Sequence, residues 1–344
     1  MRKSNIELLR IFCMFMIMCI HTTLAIGYPE KHFNSNIEYA LIGALKAFCI
    51  VAVNIFVIIS GYFGIKCTVK RLLKFLFQIV FFSIIGYVIS IVCNVQSFNL
   101  KTFMSEGFIL GPKTYWFVQS YLILFIVSPI LNAACEILSR EQLKKFLLVF
   151  FIVQCGLGWL FATLNSEIRG GLSSVSFLGI YMLMRYVKLY SPNFSLKNKS
   201  SYFLSYIYCS LFIAILAYIG VGGLMINQFS YVSPLVLVSS LSLFFFFLKM
   251  NLSIRFVNTV AASCFSVYLL HEQISISKTL YRPFINNVYT SASSMLTGAL
   301  DVFIIMIAVY LSAIVLDKGR ILLYNVLSQL TQSIYIKIKA NVRR

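Results

Sequence analysis

Apolar residues recur along the chain in runs of about twenty, and short polar connections separate these runs. We interpret ten of the runs as membrane-spanning helices, because a helix that crosses the hydrocarbon core needs roughly 20 mostly apolar residues. They cover residues 7–27, 40–64, 72–94, 115–138, 145–164, 172–188, 202–220, 229–248, 257–275 and 294–316. The pattern predicts an all-α integral membrane protein with about ten transmembrane helices.

Polar side chains interrupt the first of these runs on one helix face. Arg10 and His21 are eleven residues apart, and eleven steps of roughly 100° return a helix to within about 20° of its starting direction. The two residues are separated along the axis by roughly 16 Å, and Glu7 lies one turn before Arg10. A charge at the bilayer centre costs at least about 2.5–3.5 kcal/mol. This face is therefore expected to look into the protein interior or a wet cavity.

Three simpler interpretations of the first run stay open. Arg10 could extend its guanidinium to the inner headgroups, and His21 could be a structural histidine bonded to a neighbouring helix. The run could also be a signal peptide, but Glu7, Arg10 and His21 interrupt it and no clean small-residue cleavage site follows.

Composition agrees with a membrane protein and gives its orientation. The chain has 344 residues, of which 60% are hydrophobic and 11% charged, with a mean hydropathy of +0.89; soluble domains carry about 25% charged residues. Of the 29 Lys and Arg residues, 21 lie in connections on one predicted side and six on the other. Cytoplasmic loops carry the excess of Lys and Arg. Both termini are therefore predicted in the cytoplasm, and the net charge of +19 needs no nucleic acid partner.

Cysteine and histidine usage argues against a disulfide framework or a metal centre. The nine cysteines are scattered without a CxxC motif, and the chain has only three histidines. We divide the chain into a membrane domain, residues 1–316, and a basic amphipathic cytoplasmic tail, residues 317–344, that rests on the inner leaflet.

Placing polar residues by depth gives two clusters. The predicted cytoplasmic cluster contains Arg10, Lys70, Arg71 and Lys74. The outer polar cluster contains His21, Gln119, His271 and Glu272, with Asp301 as a further candidate, and Trp116 and Tyr268 lie at the same predicted depth. Simpler explanations exist here too. Lys70 and Lys74 could contact anionic lipids, Trp116 and Tyr268 could belong to an aromatic belt, and His271 and Glu272 could only end a helix.

Five segments of the chain resemble the membrane acyltransferase family 3. They are Arg10 with its ten-residue spacing to His21, VNIFVIISGYFGI at 53–65, KRLLK at 70–74, YWFVQSYLILFIVSPILN at 115–132 and FSVYLLHE at 265–272. The family's third helix opens with Arg-x-x-Arg, and this chain departs from that pattern by carrying Lys74.

The resemblance implies a ten-helix enzyme of a bacterial plasma membrane. It would move an acyl group, commonly acetyl, from cytoplasmic acyl-CoA to a hydroxyl of a cell-surface polysaccharide or its lipid-linked precursor. The basic cluster, Arg10, Lys70, Arg71 and Lys74, suits CoA phosphates. His21 is the candidate base or acyl carrier, His271 or Glu272 would orient it, and Trp116, Gln119 and Tyr268 would face the acceptor.

Some questions stay open at this stage. Some chains with this resemblance have been proposed to export polysaccharide or acylated intermediates, so an exporter is the alternative function. Such a protein would also place polar groups inside the membrane. The sequence shows no obvious inverted repeat, which weighs against it. The sequence leaves the acyl group, the acceptor and homo-oligomerisation undecided.

Overall fold

The computed structural model describes residues 3–27, 35–107, 115–161, 168–190, 198–219 and 228–342, and these residues form helices without a strand. The α-helices are α1 Ser4–Ile26, α2 Ser35–Cys49, α3 Ala52–Phe63, α4 Val69–Val92, α5 Leu100–Gly107, α6 Trp116–Ile137, α7 Arg140–Cys155, α8 Ser174–Tyr190, α9 Lys199–Tyr218, α10 Pro234–Leu248, α11 Arg255–Ala261, α12 Cys264–His271, α13 Ile274–Ile276, α14 Arg282–Thr290 and α15 Met295–Val342. Two π-helical turns, Gly156–Leu160 and Ser277–Tyr281, and a 3₁₀ turn, Arg169–Gly171, connect some of them.

Seven helical stretches among the described residues are long and apolar enough to cross a membrane. The all-helical membrane fold is therefore confirmed, and the count of ten spans is not. Three predicted spans fall short: α8 has 17 residues, α10 has 15, and the predicted span 257–275 is divided into α11, α12 and α13. An unbroken apolar run in the sequence does not reveal such a division.

Helix α1 lies at the centre of the helical body. It packs against α2, α3, α10, α11, α12 and α14. Of its most apolar window 56% is buried, compared with 22–33% for the spans from α4 onward. This explains why α1 tolerates polar residues on its faces: its neighbours are other helices rather than lipid.

The N-terminal end of α1 is fixed by hydrogen bonds from two polar side chains. Asn5 Nδ2 donates to the carbonyl oxygens of Phe247 at 2.8 Å and Met250 at 2.9 Å, which ties α1 to the end of α10 and to the residues that follow it. Ser4 Oγ accepts from the Ile254 amide at 3.0 Å, where α11 begins. These contacts set the depth of α1 and therefore the position of His21 near its other end.

Helix α15 runs across the predicted boundary between the membrane domain and the tail. Asp317 and Arg320 are buried, and Asp317 Oδ1 accepts from Arg320 Nε at 2.7 Å. The same oxygen accepts from Gln78 Nε2 of α4 at 3.1 Å. The first turn of the predicted tail is thus packed into the helical body.

Candidate active site

The structure brings His21, His271 and Glu272 together. His21 Nδ1 lies 2.9 Å from His271 Nε2 and 3.4 Å from Glu272 Oε1. His271 is fully buried at the end of α12, whereas the side chain of His21 is 15% exposed. A residue of α1 therefore meets the last residue of α12, 250 positions away in sequence, and the residue that directly follows that helix.

The hydrogen bonds of His271 determine which ring nitrogens carry protons. His271 Nδ1 lies 2.5 Å from the Val267 carbonyl oxygen. A carbonyl only accepts, so Nδ1 is the donor and carries the proton. In a neutral His271 ring, Nε2 is then the acceptor, and His21 Nδ1 must donate to it. With both rings neutral, His21 keeps an unprotonated Nε2.

Glu272 is held by groups that sequence reasoning did not select. Arg282 Nη2 donates to Glu272 Oε1 at 3.0 Å, and Ser277 Oγ donates to the same oxygen at 3.2 Å. The π-helical turn Ser277–Tyr281 shapes the chain between Glu272 and Arg282. No pattern of hydrophobic residues predicts this turn, and Arg282 alone resembles an ordinary loop residue.

A second contact anchors the C-terminal end of α1. Thr22 Oγ1 and the Tyr281 hydroxyl lie 2.8 Å apart. Burial raises the pKa of the Tyr281 hydroxyl to about 12, so this group is neutral at physiological pH. Together with the His21–His271 contact, this hydrogen bond holds α1 against the segment that follows α12.

His21 borders a narrow cavity whose volume open to the centre of a water molecule is about 20 Å³. Its other walls are mainly apolar and aromatic and include Met14, Ile17, Trp116, Phe117, Tyr231 and Tyr268. This volume holds a water molecule and little more. Trp116 and Tyr268 therefore line the cavity beside His21. The side chain of Gln119 is not among its walls.

Tyr115 fixes the start of α6 against α12 in an unusual backbone conformation. Its φ and ψ are 36° and 67°, in the left-handed region that aromatic residues rarely adopt. Such a conformation costs of order 1–3 kcal/mol. The Tyr115 hydroxyl donates to the Leu269 carbonyl at 2.6 Å, and its ring lies 5.7 Å from that of Tyr268. These contacts hold one aromatic wall of the cavity in place.

The predicted basic cluster lies on two helices. Arg10 is 34% exposed and its Nη1 donates to Glu7 Oε1 at 3.1 Å. Lys70, Arg71 and Lys74 are exposed in the first turns of α4, and Arg71 Nη1 donates to the Lys66 carbonyl at 3.2 Å. Lys70 also lines an open groove between α4 and α15. Among the described residues no hydrogen bond or ion pair joins Arg10 to Lys70, Arg71 or Lys74.

A metal ion could in principle be held by His21, His271 and Glu272. Each offers a ligand atom, and the three atoms lie within 4.8 Å of one another. The guanidinium of Arg282, however, already neutralises the carboxylate at 3.0 Å. It would repel a cation bound to the same oxygen. The closest contact in the group, between His21 Nδ1 and His271 Nε2, is explained by a hydrogen bond, so these residues fit a chain of hydrogen bonds better than a metal.

A comparison with known protein families gives a match over nearly the whole chain. The family described as an acyltransferase domain, acyltransferase 3, matches residues 3–335 of the chain. No curated protein and no solved structure matches the chain significantly.

Proposed function

Because the chain belongs to the acyltransferase 3 family, we propose that it is a membrane O-acyltransferase whose working base is His21. The donor is acyl-CoA on the cytoplasmic side, with acetyl as the expected group. The acceptor is a hydroxyl of a surface polysaccharide or of its lipid-linked precursor, at a bacterial plasma membrane.

The free Nε2 of His21 is the observation that carries this proposal. The Val267 carbonyl fixes the tautomer of His271, and His271 Nε2 in turn holds the proton of His21 on Nδ1. The opposite nitrogen of His21 is then the acceptor that general-base catalysis needs. The neutral imidazole of His271 thus fixes the tautomer and orientation of His21, as the carboxylate does for the histidine of a Ser-His-Asp triad.

The acyl transfer follows from that acceptor. His21 Nε2 takes the proton of the acceptor hydroxyl while the hydroxyl oxygen attacks the thioester carbon. The carbon–sulfur bond breaks, and the CoA thiolate leaves with the proton that the imidazolium returns. In the alternative route, the same Nε2 attacks the thioester carbon, the carbon–sulfur bond breaks, and an acyl-imidazolium and the CoA thiolate form. The acceptor oxygen then attacks the acyl carbon, the acyl–nitrogen bond breaks to restore neutral His21, and the hydroxyl proton leaves on the CoA thiol. Both routes use the same atom of the same residue.

Glu272 supports the charged state that either route creates. When Nε2 takes a proton, His21 becomes a cation, and the Glu272 carboxylate 3.4 Å from Nδ1 stabilises it. Arg282 and Ser277 hold that carboxylate in position. His271 and Glu272 are therefore positioning residues that act through His21.

The donor fits the basic residues at the start of α4. Backbone amides at a helix N-terminus favour phosphate groups, and Lys70, Arg71 and Lys74 add exposed positive charge there. Arg10 contributes less, because Glu7 already pairs with it. A phosphate that contacts Arg10 would lie roughly 16 Å from His21 along α1, a distance that the long arm between the CoA phosphates and the thioester can cover.

The test combines a cell measurement with a purified reaction. O-acetyl content of the surface polysaccharide is compared between cells with and without the gene, and CoA release by the purified chain in lipid is followed with acetyl-CoA. We expect O-acetyl content to fall without the gene and CoA release to require acetyl-CoA. Unchanged O-acetylation together with sugar movement that needs no acyl-CoA would support the exporter instead.

A further inference from the structure

The narrow cavity beside His21 is closed on the side of α1. Its walls from that helix are Met14, Ile17, Ile20 and His21. Met14 and Ile17 are only 1% and 5% exposed, whereas two walls from elsewhere in the chain, Trp116 and Tyr231, are partly exposed. A group that enters the cavity therefore meets Met14 and Ile17 where the cavity ends.

The free nitrogen of His21 is on the side of the ring that this cavity can serve. His21 Nδ1 is engaged by His271 at 2.9 Å and by Glu272 at 3.4 Å, and neither of these residues is a wall of the cavity. The two nitrogens of an imidazole point away from each other. An acyl carbon that meets Nε2 would therefore place its alkyl tail among the apolar walls.

Contacts between rings hold the aromatic walls of the cavity in place. The Phe117 ring lies 5.4 Å from that of Phe177, 5.8 Å from that of Tyr268 and 6.3 Å from that of Phe56. Moving this ring outward would disturb all of these contacts at once, because side chains in a close-packed interior interlock. The cavity therefore keeps its small volume of about 20 Å³.

That volume admits a methyl group and no longer chain. By the same measure, about 10–15 Å³ is enough for one water molecule, and a methyl group is of similar size. The methyl of an acetyl group therefore fits, whereas propionyl and butyryl groups carry one and two further methylenes. A hydrophobic site discriminates one methylene by about 10- to 200-fold.

We propose that this cavity receives the alkyl tail of the acyl group and that Met14 and Ile17 set the length it accepts, so that longer acyl groups are rejected. The inference rests on the proposed function, because it identifies the residues that select the donor at the same base. Met14 and Ile17 precede His21 by seven and four residues, about two turns and one turn, so all three share one face of α1. Truncating either side chain lengthens the cavity along that face.

The test measures CoA release by the purified full chain in lipid, with acetyl-, propionyl- and butyryl-CoA as donors. An extract of lipid and surface polysaccharide from cells that lack the gene supplies the acceptor. The ratio of kcat/KM for two donors is compared within one preparation, because an unfolded fraction lowers both values equally. In the wild type, kcat/KM should be higher for acetyl-CoA than for propionyl-CoA by about tenfold or more, and the difference from butyryl-CoA should be larger still.

Three variants make the test specific. Met14→Ala and Ile17→Ala should each raise the butyryl-to-acetyl ratio by about tenfold or more, because each removes at least two carbon or sulfur atoms from the closed end of the cavity. Met18→Ala is the matched control. Met18 lies on the same helix and is 0% exposed, but it is not a wall of the cavity, so its truncation should leave the ratio unchanged.

The outcomes separate this inference from the proposed function. A changed ratio in either wall variant supports the inference and assigns the limit to that residue. Equal use of butyryl- and acetyl-CoA by the wild type overturns it, as does an unchanged ratio in both wall variants or the same change in Met18→Ala. Failure to release CoA from any donor contradicts the proposed function itself, and the inference falls with it.

Discussion

Replacing His271 with leucine removes one link of the imidazole chain and leaves His21 in place. His271 is fully buried, so an apolar side chain of similar size fits its surroundings. The substitution takes away the acceptor that lies 2.9 Å from His21 Nδ1. Without that acceptor, only the more distant Glu272 carboxylate, 3.4 Å away, holds the proton on Nδ1, so more of the His21 population carries it on Nε2 and cannot act as the base.

The size of the effect follows from the contact that is lost. A hydrogen bond to a group that becomes charged contributes roughly 1.5–3 kcal/mol, and each 1.36 kcal/mol is a factor of ten in rate. We therefore expect His271→Leu to lower kcat by about 10- to 150-fold, with little change in the KM for acyl-CoA. The assay is CoA release by the purified chain in lipid across a range of pH.

The matched control uses the shape of the amide side chains. The amide of glutamine reaches the position of a histidine Nε2, whereas the shorter asparagine reaches only that of Nδ1. His271→Gln should therefore keep an acceptor for His21 Nδ1 and retain activity within about tenfold of the wild type, while His271→Asn should resemble His271→Leu. Wild-type kcat in His271→Leu, with an unchanged pH profile, would refute the orienting role of His271.

Three further predictions concern the donor site, the packing and the topology. Arg71→Ala should raise the KM for acyl-CoA about tenfold or more, with partial recovery in Arg71→Lys; an unchanged KM would reduce this residue to a lipid contact. Gly61→Ala should lower the free energy of unfolding by about 1–3 kcal/mol, measured as a lower Tm, because a Cβ at this position would lie 2.6 Å from the Tyr181 carbonyl oxygen. Gly43→Ala is the control: a Cβ there meets no atom within 4 Å, and its Tm should not fall. In a cysteine-free background, cysteines at 95–107 should react with an impermeant reagent in whole cells and those at 139–143 only after permeabilisation; the reverse would invert the orientation.

Hydropathy and helix periodicity predict the parts of the fold that depend on local sequence. The apolar run of α1 and the common face of Arg10 and His21 follow from a 3.6-residue repeat alone. The same reasoning reads 257–275 as one span. It does not predict that one helix ends at Ala261 and the next at His271, because tertiary contacts determine where these helices end.

For the candidate active site too, the sequence predicts the local features and misses those that depend on tertiary contacts. Depth along the membrane groups His21 with His271 and Glu272, but it says nothing about which helices are neighbours. Gln119 has a suitable depth and chemistry, and its side chain nevertheless lies outside the narrow cavity. Arg282 contacts Glu272 because a π-helical turn brings it back, and no residue pattern signals that contact in advance.

The most direct test of the account is the activity of His21→Asn. Asparagine keeps the polarity of the site and can still form hydrogen bonds, but it takes up no proton near neutral pH. His32→Asn is the control, at a residue in the first predicted outer loop that lies outside the described residues. CoA release and product acylation are measured for both variants and the wild type, purified in lipid at equal abundance. The account predicts at least a roughly hundredfold loss for His21→Asn and no loss for His32→Asn; wild-type turnover by His21→Asn would show that this histidine is structural.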